Sequence, residues 1–114
     1  TCHYSSNPVF IAEEVMSHEI AHQFSVGHSW ANCPGILEQL SSSNAYEPGS
    51  GSTIMSYAGA CGNQNIVFNS NEYYNIGSLE DYIFYARQGT GSTCGTEAPT
   101  MNHEPEIQMP YEDG

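Results

Sequence analysis

Apolar residues in the first quarter of the chain recur with the period of a helix. Val9, Ala12, Met16, Ile20 and Phe24 fall three or four apart, and Ile11, Val15, His18 and His22 follow on a neighbouring stripe. The spacing predicts one amphipathic helix over residues 8–25. Asn7 then Pro8 marks its start, because the Asn side chain caps free amides and proline has no amide to lose at the first helical position. Gly27 is the expected stop. A second helix is predicted over 79–88, opened by Ser78-Leu79-Glu80-Asp81 at capping-box spacing and ended by Gly89. Between the two, Ser41-Ser42-Ser43-Asn44 and Pro48-Gly49-Ser50-Gly51-Ser52 read as loop and turn, with a short extended piece at Asn65-Ile66-Val67-Phe68.

Composition adds bounds to this pattern. With 39% hydrophobic and 11% aromatic residues in 114, the chain has the balance of one modest globular domain. One basic residue against 13 acids gives a net charge of −12, which argues against nucleic acid or an anionic membrane surface as a partner. Five of those acids, Glu97, Glu104, Glu106, Glu112 and Asp113, lie in a Pro-containing stretch without apolar period. Residues 96–114 are therefore expected to be an acidic linker or tail, and 1–95 the packed body. No apolar run approaches the length of a membrane span. Thr1 stands where a start Met would be, so the chain is expected to be part of a longer, multidomain one. Cys2, Cys33, Cys61 and Cys94 permit three pairings and lack close CxxC pairs, which favours disulfides over a thiolate zinc site. So much loop joined by disulfides points to a secreted or cell-surface protein.

The chemistry sits in the first helix. His18-Glu19-Ile20-Ala21-His22 is an HExxH segment: four residues is a little over one helical turn, so both imidazoles leave one face and can grip one metal. Glu19 falls beside the place of a metal-bound water, as a general base should. His28, ten positions beyond His18 and just past Gly27, is the candidate third ligand. Three imidazoles with one open position make a catalytic rather than a structural Zn2+ site. His3 and His103 have no partner at ligand spacing and read as surface or tail residues.

The run His18-Glu19-Ile20-Ala21-His22-Gln23-Phe24-Ser25-Val26-Gly27-His28, followed by Ser52-Thr53-Ile54-Met55-Ser56-Tyr57, resembles the metzincin zinc endopeptidases, which join an extended HExxHxxGxxH motif to a downstream Met-turn. Residues 47–59 are closer still to the reprolysin-like (adamalysin-like, M12B-type) proteases of secreted bacterial proteins. The resemblance covers about residues 9–95. It implies an α+β fold, the C-terminal part of a metzincin catalytic domain: active-site helix about 8–25, Met-turn about 52–59, C-terminal helix about 79–88. Only 17 residues precede His18, so the upper β-sheet, along whose edge a substrate peptide would lie, is expected to be largely missing from this chain, and with it most of the specificity pocket.

By the same resemblance His18, His22 and His28 bind zinc, Glu19 is general base and then acid for attack of the zinc-bound water on a peptide bond, and Met55 floors the metal. Tyr57 stands where astacin-like and serralysin-like relatives carry a tyrosine that ligates zinc or steadies the tetrahedral intermediate; a packed aromatic is the alternative. Cys33 with Cys61 would bracket the loop through the Met-turn, and Cys2 with Cys94 would tie the ends of the body. One departure is plain: Ser25 occupies the motif's glycine position, and with Gly27 two residues on, the turn is expected there. Competing readings are a gluzincin-like site with Glu38, Glu47 or Glu72 as third ligand, a catalytically idle zinc-binding or adhesion module, and a disulfide-held domain without metal.

Overall fold

A computed structural model describes residues 11–96, 98–103 and 105–106. Ile11–Met16 is wound as a π-helix that runs directly into α1, an α-helix over Ser17–Gln23. The start at Asn7-Pro8 lies outside the described residues, as do Cys2 and His3. The expected apolar stripe is not the buried one. Met16 and Ile20 are 53% and 48% exposed, whereas Ala21 is fully buried. Two causes combine: the π-turns widen the repeat upstream of Ser17, and the loops that cover α1 pack on its Ala21 side.

The helix stops at Ser25, not at Gly27. Ser25 takes the left-handed conformation at φ 60°, and its amide donates to the His22 carbonyl (3.1 Å) while the Val26 amide reaches back to Ala21 (3.1 Å). That pair of bonds is a Schellman close, and its apolar contact is present, since Val26 and Ala21 share one buried cluster. Gly27 serves close approach instead: a Cβ there would lie 2.4 Å from Ser41 Oγ and 2.7 Å from Asn44 Oδ1.

Past the turn the chain is loop, folded on two small cores. Ala21, Val26, Ile54 and Met55 form one, flanked by Phe24, Tyr74 and Tyr82; Trp30, Cys33 and Cys61 form the other, flanked by Ile36, Leu40 and Tyr57. The Cys33–Cys61 disulfide forms as expected. Of the second expected pair, Cys94 is an exposed free thiol and Cys2 lies outside the described residues. Of the α+β architecture, the described residues show helices and one isolated parallel bridge, Trp30 to Glu47. Residues 65–68 make no strand. The Asn65 amide donates to the Gly62 carbonyl, the Ile66 amide to Ser50 Oγ, and the Val67 carbonyl accepts from the Gly59 amide; Ile66 and Phe68 are 55% and 84% exposed, so no buried face fixes a register.

The loops are pinned by one carboxylate. Glu47 is only 7% exposed and accepts from Ser29 Oγ, from Thr53 Oγ1 (2.5 Å) and from the Ser52 amide (3.0 Å). Burial pushes its carboxyl up, but these donors outweigh burial and hold it below its ordinary value of 4.5.

The second helix, α2, spans Ile76–Arg87 and starts earlier than expected. Asn75 rather than Ser78 caps it, accepting from the Gly77 amide at 3.0 Å, while Ser78 is buried inside the helix. An aromatic group joins α2 to α1: Phe24 meets Tyr82 (4.8 Å between centroids) and Tyr85 (5.7 Å), and the Tyr74 hydroxyl donates to the Ser17 carbonyl (2.7 Å). Burial first, then Tyr82, pushes the Tyr74 phenol up to about 12, so that donor persists at any physiological pH. Short 3-10 turns occur at Leu37–Gln39, Gly62–Gln64 and Thr90–Thr93. Residues 98–103, His103 included, are exposed coil.

Two predictions follow from these loops. Ser25→Gly should raise stability by roughly 0.5–1 kcal/mol, because glycine carries no penalty at φ 60°; Gly27→Ala should lower it, and thermal melts of both variants check the pair. Glu47→Ala should cost on the order of 3 kcal/mol by stranding the buried hydroxyls of Ser29 and Thr53 and the half-buried Ser52 amide. A depressed carboxyl stabilises above its ordinary value and loses that contribution as pH falls through the folded value. Denaturant titrations below pH 4.5 should therefore show a loss in wild type that is smaller in Glu47→Gln.

Candidate metal centre

The three histidines expected as ligands come together, each held by a backbone carbonyl from a different part of the chain. His18 Nδ1 donates to the Ile54 carbonyl (2.7 Å), His22 Nδ1 to Val26 (2.8 Å) and His28 Nδ1 to Gln39 (2.8 Å). A carbonyl oxygen only accepts, so the proton of each neutral ring must sit on Nδ1 and leave Nε2 with a bare lone pair. Helix α1 sets the first two rings one turn apart, the close at Ser25 aims the Val26 carbonyl at His22, and the chain beyond Gly27 delivers His28.

Those lone pairs converge. His22 Nε2 and His28 Nε2 lie 3.2 Å apart, and one ligand atom from each of the three residues falls within 4.8 Å of the others. With both Nδ1 protons committed elsewhere, no hydrogen remains to sit between two nitrogens at 3.2 Å. A shared cation resolves that repulsion, and zinc at 2.0–2.1 Å from two tetrahedral nitrogens would separate them by about 3.3 Å. Donor type, tautomer and the His22–His28 spacing fit zinc. Glu38, Glu47 and Glu72 do not belong to the group, and Glu47 is committed to Ser29, Ser52 and Thr53.

Electrostatics keep the rings ready to ligate. Burial, reinforced by His22 and His28, pushes the His18 imidazole down to about 4 despite the Ile54 carbonyl and Glu19. Burial and then His22 lower His28 as well. Both are neutral at pH 7, the form a metal needs.

Around the rings lie the other expected residues. Glu19 is exposed and, with Val15, His18, Ile54 and Tyr57, lines a cleft of ≈ 130 Å³. Met55 is fully buried in one cluster with Ala21, the residue before His22, and Val26, two before His28, and its carbonyl accepts from the Ser29 amide (2.9 Å). Tyr57 is tilted against His28 (4.5 Å between centroids), faces His18 (6.0 Å) and stacks on Trp30 (5.4 Å). Its hydroxyl donates to Gln39 Oε1 at 2.5 Å. Sequence reasoning did not find Gln39, Trp30 or the three carbonyls; an exposed Gln in a loop and a main-chain oxygen leave no residue-type signal.

A family model described as reprolysin-like, metallopeptidase family M12B, matches residues 6–82. The chain belongs to that family. No curated protein and no solved structure matches it. The segment shared with the reprolysin-like metallopeptidases contains every residue of the centre, from His18 through Tyr57, and ends within α2.

For this reprolysin-like chain the ligand set is directly testable. His28→Ala should weaken zinc binding by at least about 100-fold, since two imidazoles remain. Glu38→Gln and Glu72→Gln should leave it within about twofold, because neither belongs to the histidine group. Zinc titration by calorimetry against the metal-free chain reads both; loss of affinity in a glutamate variant would place a carboxylate in the site.

Proposed function

We propose that this chain is a zinc-dependent endopeptidase, a hydrolase of peptide bonds in protein or peptide substrates. The observation that carries the reading is the convergence of three Nδ1-anchored imidazoles beside an exposed glutamate, in a chain of the reprolysin-like metallopeptidase family. His18, His22 and His28 would hold the ion through Nε2. Bound there, zinc supplies a Lewis acid that acidifies water and polarises a carbonyl. Glu19, one residue from a ligand and on the cleft wall, takes a proton on its carboxylate from the attacking water and returns it to the amine nitrogen as the peptide C–N bond breaks.

Met55 supports the ligands from beneath as the methionine of a Met-turn, its packing on Ala21 and Val26 stiffening both segments that carry imidazoles. Tyr57 walls the same cleft. The Cys33–Cys61 disulfide favours an oxidising, extracellular setting, as the family reading does. Among the described residues no helix is long and apolar enough to cross a membrane.

Glu19→Ala separates chemistry from metal binding, because Glu19 is not a ligand. It should lower kcat on unfolded casein by roughly 10²–10⁴ while zinc stoichiometry stays at one per chain. Wild-type cleavage should stop on adding a chelator and return with zinc. Near-normal turnover in Glu19→Ala would sink the assignment, and zinc binding without any cleavage in wild type would favour an idle module.

A further inference from the structure

Gln39 touches the centre from two directions. Its backbone carbonyl accepts from His28 Nδ1 at 2.8 Å, and its side-chain Oε1 accepts from the Tyr57 hydroxyl at 2.5 Å. We propose that Gln39 is a positioning residue that sets the third imidazole and the Tyr57 ring together, through one three-residue turn. The proposal rests on the peptidase reading only for its kinetic consequence.

The turn is built to hold that position. Leu37–Gln39 is a 3-10 turn whose bonds, Ile36 to Cys33, Gln39 to Ile36 and Leu40 to Leu37, chain it to the disulfide. Ile36 and Leu40 flank it and pack on the buried Trp30, Cys33 and Cys61. Gln39 itself is exposed, so its side chain contributes little to the core. What it contributes is an acceptor without a proton of its own to give back. The Tyr57 proton is thereby directed at Oε1, and the ring is fixed between Trp30 on one side and the cleft shared with His18 and Glu19 on the other. Without the amide oxygen, the ring keeps its stacking partners but loses a bond that holds its hydroxyl end in place beside His28.

Trp30 makes this readable without catalysis. It is the single tryptophan, fully buried, with its ring 5.4 Å from Tyr57 at an interplanar angle of 29°, so its emission and its quenching by acrylamide report the Tyr57 ring. The experiment compares the whole chain as wild type, Gln39→Ala, Gln39→Glu, Tyr57→Phe and the double Gln39→Ala/Tyr57→Phe, metal-free and zinc-loaded. Gln39→Ala and Tyr57→Phe should shift Trp30 emission alike, the double variant should add nothing, and Gln39→Glu, which keeps an oxygen at the same reach, should restore the wild-type signal. Zinc affinity of Gln39→Ala should stay within about threefold, since the carbonyl on His28 remains, while kcat falls roughly five- to tenfold with KM nearly unchanged. Wild-type emission in Gln39→Ala, additive effects in the double variant, or loss of zinc affinity equal to the loss of kcat would each overturn the proposal. If wild type cleaves nothing but the emission pattern holds, the peptidase reading falls and the positioning role stands. If wild type cleaves in a Glu19-dependent way and the pattern is absent, the reverse is true.

Discussion

Everything at the centre depends on three main-chain carbonyls being in place. Ile54, Val26 and Gln39 each take the Nδ1 proton of one imidazole, at 2.7–2.8 Å. Helix α1 could present His18 and His22 on one face without help, but their ring orientation and tautomer are decided by oxygens on loops. A carbonyl acceptor orients the ring, selects Nε2 as ligand and raises its basicity. Residues 24–61 must therefore be ordered although they hold almost no regular structure.

That order comes from polar and covalent ties more than from a core. The buried hydrophobic residues among those described are Ala21, Val26, Trp30, Cys33, Ile54, Met55 and Cys61, too few to hold long loops by burial alone. The Cys33–Cys61 bridge closes a separation of 28 residues, worth roughly 3–4 kcal/mol on the loop-entropy account. Glu47, inside that same loop, adds a second tie that also reaches the chain before Cys33, gathering Ser29, Ser52 and Thr53 around one carboxylate. Its position explains its chemistry: a glutamate that accepts from Ser29, Thr53 and both the amide and the hydroxyl of Ser52 has no lone pair to spare for a metal, whatever the sequence spacing allows.

How much of this the sequence revealed divides by the kind of signal. Helical spacing of His18 and His22, and a histidine just past the helix, were legible because ligand chemistry fixes residue types. The Cys33–Cys61 pair was legible because the two cysteines bracket the loop that holds residues 52–59. The stripe Met16-Ile20 misled because period alone does not say which side the loops will cover. Ser25 was read as a missing glycine whose turn had moved to Gly27; instead Ser25 accepted the left-handed conformation, since its two bracing hydrogen bonds and the Ala21–Val26 contact offset the cost of a side chain at φ 60°. Gly27 carried a different requirement, room for Ser41 and Asn44. Asn75 displaced Ser78 as a cap because Ser78 faces inward, a fact only packing reveals.

Exposed apolar side chains on both helices set the energetics of the centre in context. Met16 and Ile20 on the first helix, and Ile76, Leu79, Ile83 and Phe84 on α2, are each at least 41% exposed, so neither helix is locked by burial of its apolar face. Helix α1 is instead fastened at its ends, by Tyr74 on the Ser17 carbonyl and by the close at Ser25. Between those ends, His22 and His28 are brought to 3.2 Å with lone pairs opposed. Two of the three carbonyl bonds, those of Val26 and Gln39, thus leave both Nε2 lone pairs facing the place where a cation would be held. Binding energy at such a site would be folding energy, which would add a held ion to the small set of ties that keep the chain in shape.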